Sequence, residues 1–331
     1  MKRGLMKSYA NADAVRSILL PEEGAEAMAS IHSSSKPSGF LDKVNSAPWI
    51  GIGAFFVVFV VQAIGHLIMV VMEEIWPGPG FVYQSAAFMG LAGCALWYIG
   101  LNGKGETAQT WLGFWAGSLV WTGWVEFSFV YYADFLAVPD LLDEAGEIAT
   151  KNEYMVMMSS LGVMMATLVF FFFNRDTRCN MFRWFHRWLR MDVGKPAPGI
   201  NRNYCNITAI ETIYIIWFFY LALLLIYDPQ ILGETHPVVY GLFVANTAWA
   251  LYLILRLVRF TRMSAAIRYA IPTAIIAWNS NELMGRWDMY TEIWVHPREY
   301  WLEMGLVVLA VVLCAGAMMM SPAERREVDA D

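Results

Sequence analysis

Residues 48–72 read PWIGIGAFFVVFVVQAIGHLIMVVM, an unbroken apolar run in which Gln62 and His66 are the strongly polar side chains. As a helix it covers roughly 37 Å at 1.5 Å per residue, more than the ~30 Å of a bilayer's hydrocarbon core. A helix of that length on the surface of a soluble protein keeps a polar face. This run has none, so it reads as a membrane span. Helix is the default within lipid, where backbone N–H and C=O groups find no water.

Seven more apolar runs lie downstream, at about 82–101, 110–133, 154–173, 206–227, 237–257, 266–284 and 301–320. The seventh run of the eight is the least apolar: it holds Pro272 and ends in Asn279-Ser280-Asn281-Glu282. The expected fold is therefore all-α, a polytopic membrane bundle of about eight transmembrane helices. Composition agrees, with 58% hydrophobic and 16% charged residues, against roughly 45–50% and 25% in soluble domains. The opening MKRGLMKSYANADAV lacks an apolar h-region, so no cleaved signal peptide is expected.

The cations set an orientation. With the N-terminus inside, the inner segments hold Lys104, the arginines from Arg175 to Arg202, and Arg256, Arg259, Arg262, Arg268, Arg325 and Arg326. Only Lys151, Arg286 and Arg298 fall outside. That bias places the chain as a multi-pass protein of a bacterial-type inner (plasma) membrane with both termini cytoplasmic. Residues 1–46 then form a cytoplasmic tail with a short helix over Ala12–Leu20. Residues 47–174 hold four spans, and 175–205 a basic, aromatic cytoplasmic loop. Residues 206–321 hold four more spans, and 322–331 a second tail. The outer loops are acidic, which suits a basic periplasmic partner.

The halves echo one another at an offset near 156 residues. Trp121-Thr122-Gly123-Trp124-Val125-Glu126 parallels Trp278-Asn279-Ser280-Asn281-Glu282, and Phe81-Val82-Tyr83 parallels Pro237-Val238-Val239-Tyr240. Four spans per half would put the repeats in the same direction, a parallel 4+4 duplication.

Ionisable residues inside spans are costly and mark function. His66, Glu126 and Glu282 fall in the outer part of their spans, His236 and His296 sit at the outer edge, and Glu211 lies in an inner third. Imidazoles with carboxylates suit Cu, Fe or Zn, and an oxygen-rich set suits Mn. A metal site drawn from His66, Glu126, Glu282, His236 and His296, with Glu73 as a further candidate, is one expectation, with Glu126 and Glu282 as catalytic carboxylates. The other is a hydrogen-bonded or proton-handling pair of glutamates. Trp121, Trp124 and Trp278 are candidates for a pocket wall. Most of the other tryptophans fit interfacial anchors.

The methionines of 155–165 fit helix packing better than Cu(I) ligation. Cys94, Cys179, Cys205 and Cys314 form no CxxC pair, so no disulfide framework or zinc knuckle is indicated. The loop RDTRCNMFRWFHRWLR, 175–190, alternates cations with aromatics and is expected to lie on the cytoplasmic leaflet, with His186 interfacial rather than catalytic. No basic patch suggests nucleic acid.

No family is recognisable across the chain. Over its few residues Trp121–Phe127 resembles a Trp-Gly-Trp-Ile-Glu stretch in membrane assembly factors of bacterial photosynthetic complexes, which implies an accessory or assembly subunit packed against other membrane subunits. Three functions follow: a metal-binding membrane enzyme or subunit of a membrane oxidoreductase complex, a proton- or cation-coupled transporter using Glu126 and Glu282, and an accessory subunit. The first is favoured at this level, because the intramembrane ionisable groups gather at one depth.

Overall fold

The computed structural model describes residues 43, 45–75, 79–142, 146, 148–174, 180–194 and 202–319. Most of the N-terminal tail with its expected helix, residues 175–179 of the basic loop and the C-terminal tail lie outside the described residues.

Helices follow the apolar runs. In chain order they are α1 (Trp49–Val70), α2 (Pro79–Leu101), α3 (Glu106–Val120), α4 (Phe127–Phe135), α5 (Asn152–Met158), α6 (Leu161–Phe173), α7 (Asn180–Trp188), α8 (Tyr204–Tyr227), α9 (Pro237–Leu257), α10 (Met263–Arg286) and α11 (Trp301–Met319). Two π-helical segments, Val71–Ile75 and Trp121–Glu126, continue α1 and join α3 to α4. A short antiparallel ladder pairs β1 (Leu141–Leu142) with β2 (Ile148–Thr150) ahead of α5.

Among the described residues five helices are long and apolar enough to cross a membrane: Trp49–Glu73, Gly80–Leu101, Tyr204–Tyr227, Pro237–Leu257 and Trp301–Met319. The pair α5 and α6, bent by 42°, makes a sixth if it is one span. Their outward surfaces carry large exposed apolar side chains, such as Phe88 and Leu91 on α2, Val244 and Leu255 on α9, and Leu306 and Leu313 on α11. Apolar patches of that extent are unusual on a soluble monomer.

The runs expected at 110–133 and 266–284 are helical but fall short of that length or apolarity, and their packing explains it. α10 lies against α1, α3, α8 and α9. Ala266, Ile267, Ala270, Ile271, Thr273, Ala274, Asn279 and Ser280 are among its buried residues. A helix wrapped by protein needs no apolar exterior and tolerates polar side chains that find partners. Thus Ser280 Oγ meets Asn246 Nδ2 at 2.9 Å and Thr247 Oγ1 at 2.8 Å, both from α9.

α3 is similarly enclosed between α2 and α8. Small residues allow this close approach: a Cβ on Gly113 would strike the Cys205 carbonyl, and one on Gly117 would lie 2.7 Å from the Ala209 carbonyl oxygen.

Helix starts are marked by side chains. The Asn203 carboxamide accepts from Asn206 N at 2.9 Å and caps α8, an N-cap role Asn favours. Pro237 stands in the first turn of α9, where its missing N–H is no loss.

At the N-terminal end of α10, the inner end in the expected orientation, an ionic clamp fixes it to α3. Arg268 donates to Glu106 Oε1 at 2.6 Å and to Thr110 Oγ1 at 3.1 Å. Arg262 donates to Glu106 Oε2 at 2.9 Å, and Ser264 to Oε1 at 3.0 Å. Partial burial opposes ionisation of Glu106. The contacts from Arg268, Ser264 and Arg262 outweigh it, and its carboxyl is held below the ordinary glutamate value.

Candidate functional site

The other end of α10 carries a cluster of opposite character. Trp278 and Glu282 are four residues apart and share a face. The Trp278 indole N–H donates to Glu282 Oε1 at 2.6 Å. From α1, His66 Nε2 reaches the same oxygen at 3.3 Å. The His66 ring lies near-parallel to Trp278, with centroids 5.8 Å apart and planes at 21°. Phe59 and Trp294 pack on Trp278 at 5.3 and 5.2 Å.

Tyr220 of α8 stands 6.4 Å from the His66 ring, centroid to centroid, and 6.1 Å from Trp121. Its hydroxyl contacts the Glu126 carboxyl and lies 3.4 Å from the Tyr154 hydroxyl of α5. Glu126 is the last residue of the second π segment and is buried, at 6% exposure. π turns are rare and gather at functional sites. Here the segment brings Gly123 against the α2 backbone, where a Cβ would lie 2.5 Å from Gly90 N.

The His66 and Glu282 side chains keep 22% and 20% of their exposure, so the cluster grades from a half-open ion pair to a closed carboxyl. Glu126 and Glu282 both act electrostatically on His66.

His66, Glu126 and Glu282 thus come together as the sequence suggests, whereas the outer-edge histidines do not join them. His236 is exposed and caps α9, its Nδ1 accepting from Val238 N at 3.2 Å. His296 is exposed beyond the 3-10 turn Ile293–Val295 and bears electrostatically on Glu292. Glu73 is exposed in the first π segment, within electrostatic reach of Glu126. Glu211 lies apart from the cluster, with Arg268 acting on it.

Of the candidate wall tryptophans, Trp121 and Trp278 belong to the cluster. Trp124 turns its indole to the Ala87 carbonyl at 3.0 Å and is 41% exposed. The buried methionines Met157 and Met164 pack with Leu221 and Leu224.

Sequence reasoning did not single out Tyr154, Tyr220 or Glu292. The tyrosines had a signal, phenols inside apolar runs that must find polar contacts. Glu292 had none beyond an acidic loop. Its carboxyl reaches back over Gly285, where an added Cβ would collide with it. Burial first, then the Glu282 charge, push the Glu292 carboxyl above the ordinary glutamate value.

Among the described residues no group of three or more His, Cys, Asp or Glu side chains is placed to hold a metal ion. His66 and Glu282 engage each other directly, and Glu126 turns to a phenol. Compared with family models, curated proteins and solved structures, the chain matches none.

Proposed function

We propose that this chain is a proton-coupled membrane transporter whose outer cluster takes up and releases a proton. One observation carries the reading: two carboxyl groups act on a single imidazole, His66, Glu282 by direct ion pairing and Glu126 from within electrostatic reach. In a low-dielectric setting a net charge is expensive. An ionised His66–Glu282 pair is neutral by itself, so a neutral cluster has Glu126 protonated. Loss of that proton leaves one net negative charge shared among three groups. The exchangeable proton has a path of polar atoms through the Tyr220 and Tyr154 hydroxyls and the half-open His66–Glu282 pair.

The membrane arrangement belongs to the same proposal: eight spans in a bacterial-type inner membrane, both termini inside, as a parallel duplication. Equivalent helices choose equivalent neighbours, which supports it. α3 packs on α2 and α8, and α10, its counterpart, packs on α9 and α1. Glu126 and Glu282, separated by the repeat offset, both act electrostatically on one imidazole. Such a pair about a pseudo-twofold is what an alternating protonation cycle requires.

Infrared difference spectroscopy of the reconstituted protein across a pH titration tests the proposal. A protonated-carboxyl band is expected that disappears in Glu126→Gln and shifts in His66→Gln. A spectrum with no carboxyl band assignable to Glu126 or Glu282 sinks it. A metal-dependent enzyme or oxidoreductase subunit would call on the same His66, Glu126 and Glu282. Near-stoichiometric Cu, Fe, Zn or Mn in the purified protein, lost in His66→Ala, would replace the proton reading with that one.

A further inference from the structure

Helix α7, Asn180–Trp188, stands where the chain leaves α6 and is held there by one of its sides. His186 is buried, and its Nε2 donates to the Phe172 carbonyl at 2.7 Å, one of the last-turn carbonyls of α6 that lack a helical partner. The Phe172 ring meets His186 at 4.8 Å and Phe182 at 5.5 Å. Nine residues form only a marginal helix in water. This docking seam is what the rest of the protein supplies to hold α7.

The two remaining sides face outward and differ in kind. Met181, Trp184 and Trp188, spaced i, i+3, i+7, make an apolar side. Trp184 and Trp188 are 51% and 67% exposed, with rings stacked 5.9 Å apart. Arg183 and Arg187, spaced i, i+4, make a cationic side, Arg190 follows in the turn just past the helix end, and all three are exposed. Among the described residues no carboxylate forms an ion pair with these arginines.

Water suits the second side and not the first, and hydrocarbon the reverse. A membrane interface suits both at once, indoles at the glycerol level and guanidiniums among phosphates. A guanidinium fork matches phosphate oxygens in pairs. Three neighbouring arginines with no ion pair among the described residues also favour a surface with net negative charge over a zwitterionic one.

We infer that α7 is an interfacial anchor that binds anionic glycerophospholipid headgroups through Arg183, Arg187 and Arg190, with His186 pinning it at the exit of α6. The inference uses the membrane setting proposed above but not the proton cluster. Failure at α7 would leave that cluster untouched.

The test uses the full chain in nanodiscs of phosphatidylcholine with and without phosphatidylglycerol. Native mass spectrometry counts the lipids that stay bound. Wild type should retain phosphatidylglycerol over phosphatidylcholine. The triple variant R183Q/R187Q/R190Q should lose about a hundredfold of that preference, about fivefold per arginine. The triple lysine variant should keep most of it, which separates charge from misfolding. Brominated acyl chains should quench a fluorescence component absent in W184F/W188F.

Equal phosphatidylglycerol retention in wild type and the glutamine variant would overturn the inference. So would absence of bromine quenching at the two indoles. A stoichiometric protein partner that the glutamine variant releases, with lipid retention unchanged, would show a protein-docking surface instead.

Discussion

The two ends of α10 use the same kinds of side chain to opposite effect. At the inner end one carboxylate, Glu106, receives two guanidiniums, a hydroxyl from Ser264 and the bridge through Arg268 to Thr110. At the outer end Glu282 pairs with the one imidazole and takes the Trp278 indole N–H, while Glu126 turns to the Tyr220 hydroxyl within electrostatic reach of that imidazole. The inner set brings two cations to one carboxylate, so Glu106 stays ionised at neutral pH with no proton to exchange, and the set holds α3 to α10. The outer set is one charge out of balance in any state with both acids ionised. The sign of the excess charge, cations over acid at one end and acid over cations at the other, separates the group that holds from the group that acts.

The largest effect is expected from His66→Ala. Removing the cation strands two carboxyls, and breaking such a buried pair costs roughly 3 kcal/mol. Thermal unfolding in detergent should show a large drop, and Glu282→Gln in the same chain should recover part of it. If the double variant is no more stable than His66→Ala alone, His66 acts through packing on Trp278 and the contrast between the two ends collapses.

Next in size is Arg268→Gln, which leaves Glu106 with Arg262 and Ser264 and removes the bridge to Thr110. A loss of about 1–3 kcal/mol is expected. The infrared carboxyl signature of the outer cluster should remain unchanged. Glu126→Gln should do the reverse, abolishing the signature while stability stays near wild type. A change of that signature in Arg268→Gln would mean that the two ends are coupled along α10.

The inner clamp should also show in the pH dependence of stability. The folded-state Glu106 value lies below its ordinary 4.5. Its contribution is therefore complete above that value and is lost as pH falls through the window between 4.5 and the lower folded value. Wild type should lose more stability than Glu106→Gln across that window. Parallel losses would show that the two arginines do not hold the carboxylate ionised.

Much of this was legible in the sequence. Residues 48–72 announce a span, and the helices fall on the apolar runs, because lipid-length apolarity is a strong local signal. Depth alone also singled out His66 and Glu282, which pair, and Glu126, which lies within electrostatic reach of His66, since a shared depth places groups on adjoining turns of neighbouring helices. Depth does not give azimuth, however. His236 shares the level and points away to cap α9. Nor could hydropathy show that α10 is enclosed by protein, because a central helix and a poor span look alike in one dimension. Glu106 was passed over because its partners, Arg262 and Arg268, lie about 156 residues away and meet it only through packing.

The smallest effect is expected at Glu292, and it probes the outer end's excess of acid directly. The loop that carries Glu292 brings a third carboxyl toward Glu282. Burial and that neighbouring charge raise the Glu292 value, with His66, Arg286 and His296 offsetting in part. For an acid whose folded value is raised, the sign runs opposite to Glu106. Its contribution is most favourable below 4.5 and is lost as pH climbs through the raised folded value. Glu292→Gln removes a repulsion present at neutral pH. It should raise the midpoint of unfolding slightly there and leave it unchanged or lower in acid. The half-exposed setting keeps the effect small through solvent screening. A neutral-pH loss of stability in Glu292→Gln would mean that the carboxylate is needed as a hydrogen-bond acceptor, and the outer cluster would then be better compensated than its charge count implies.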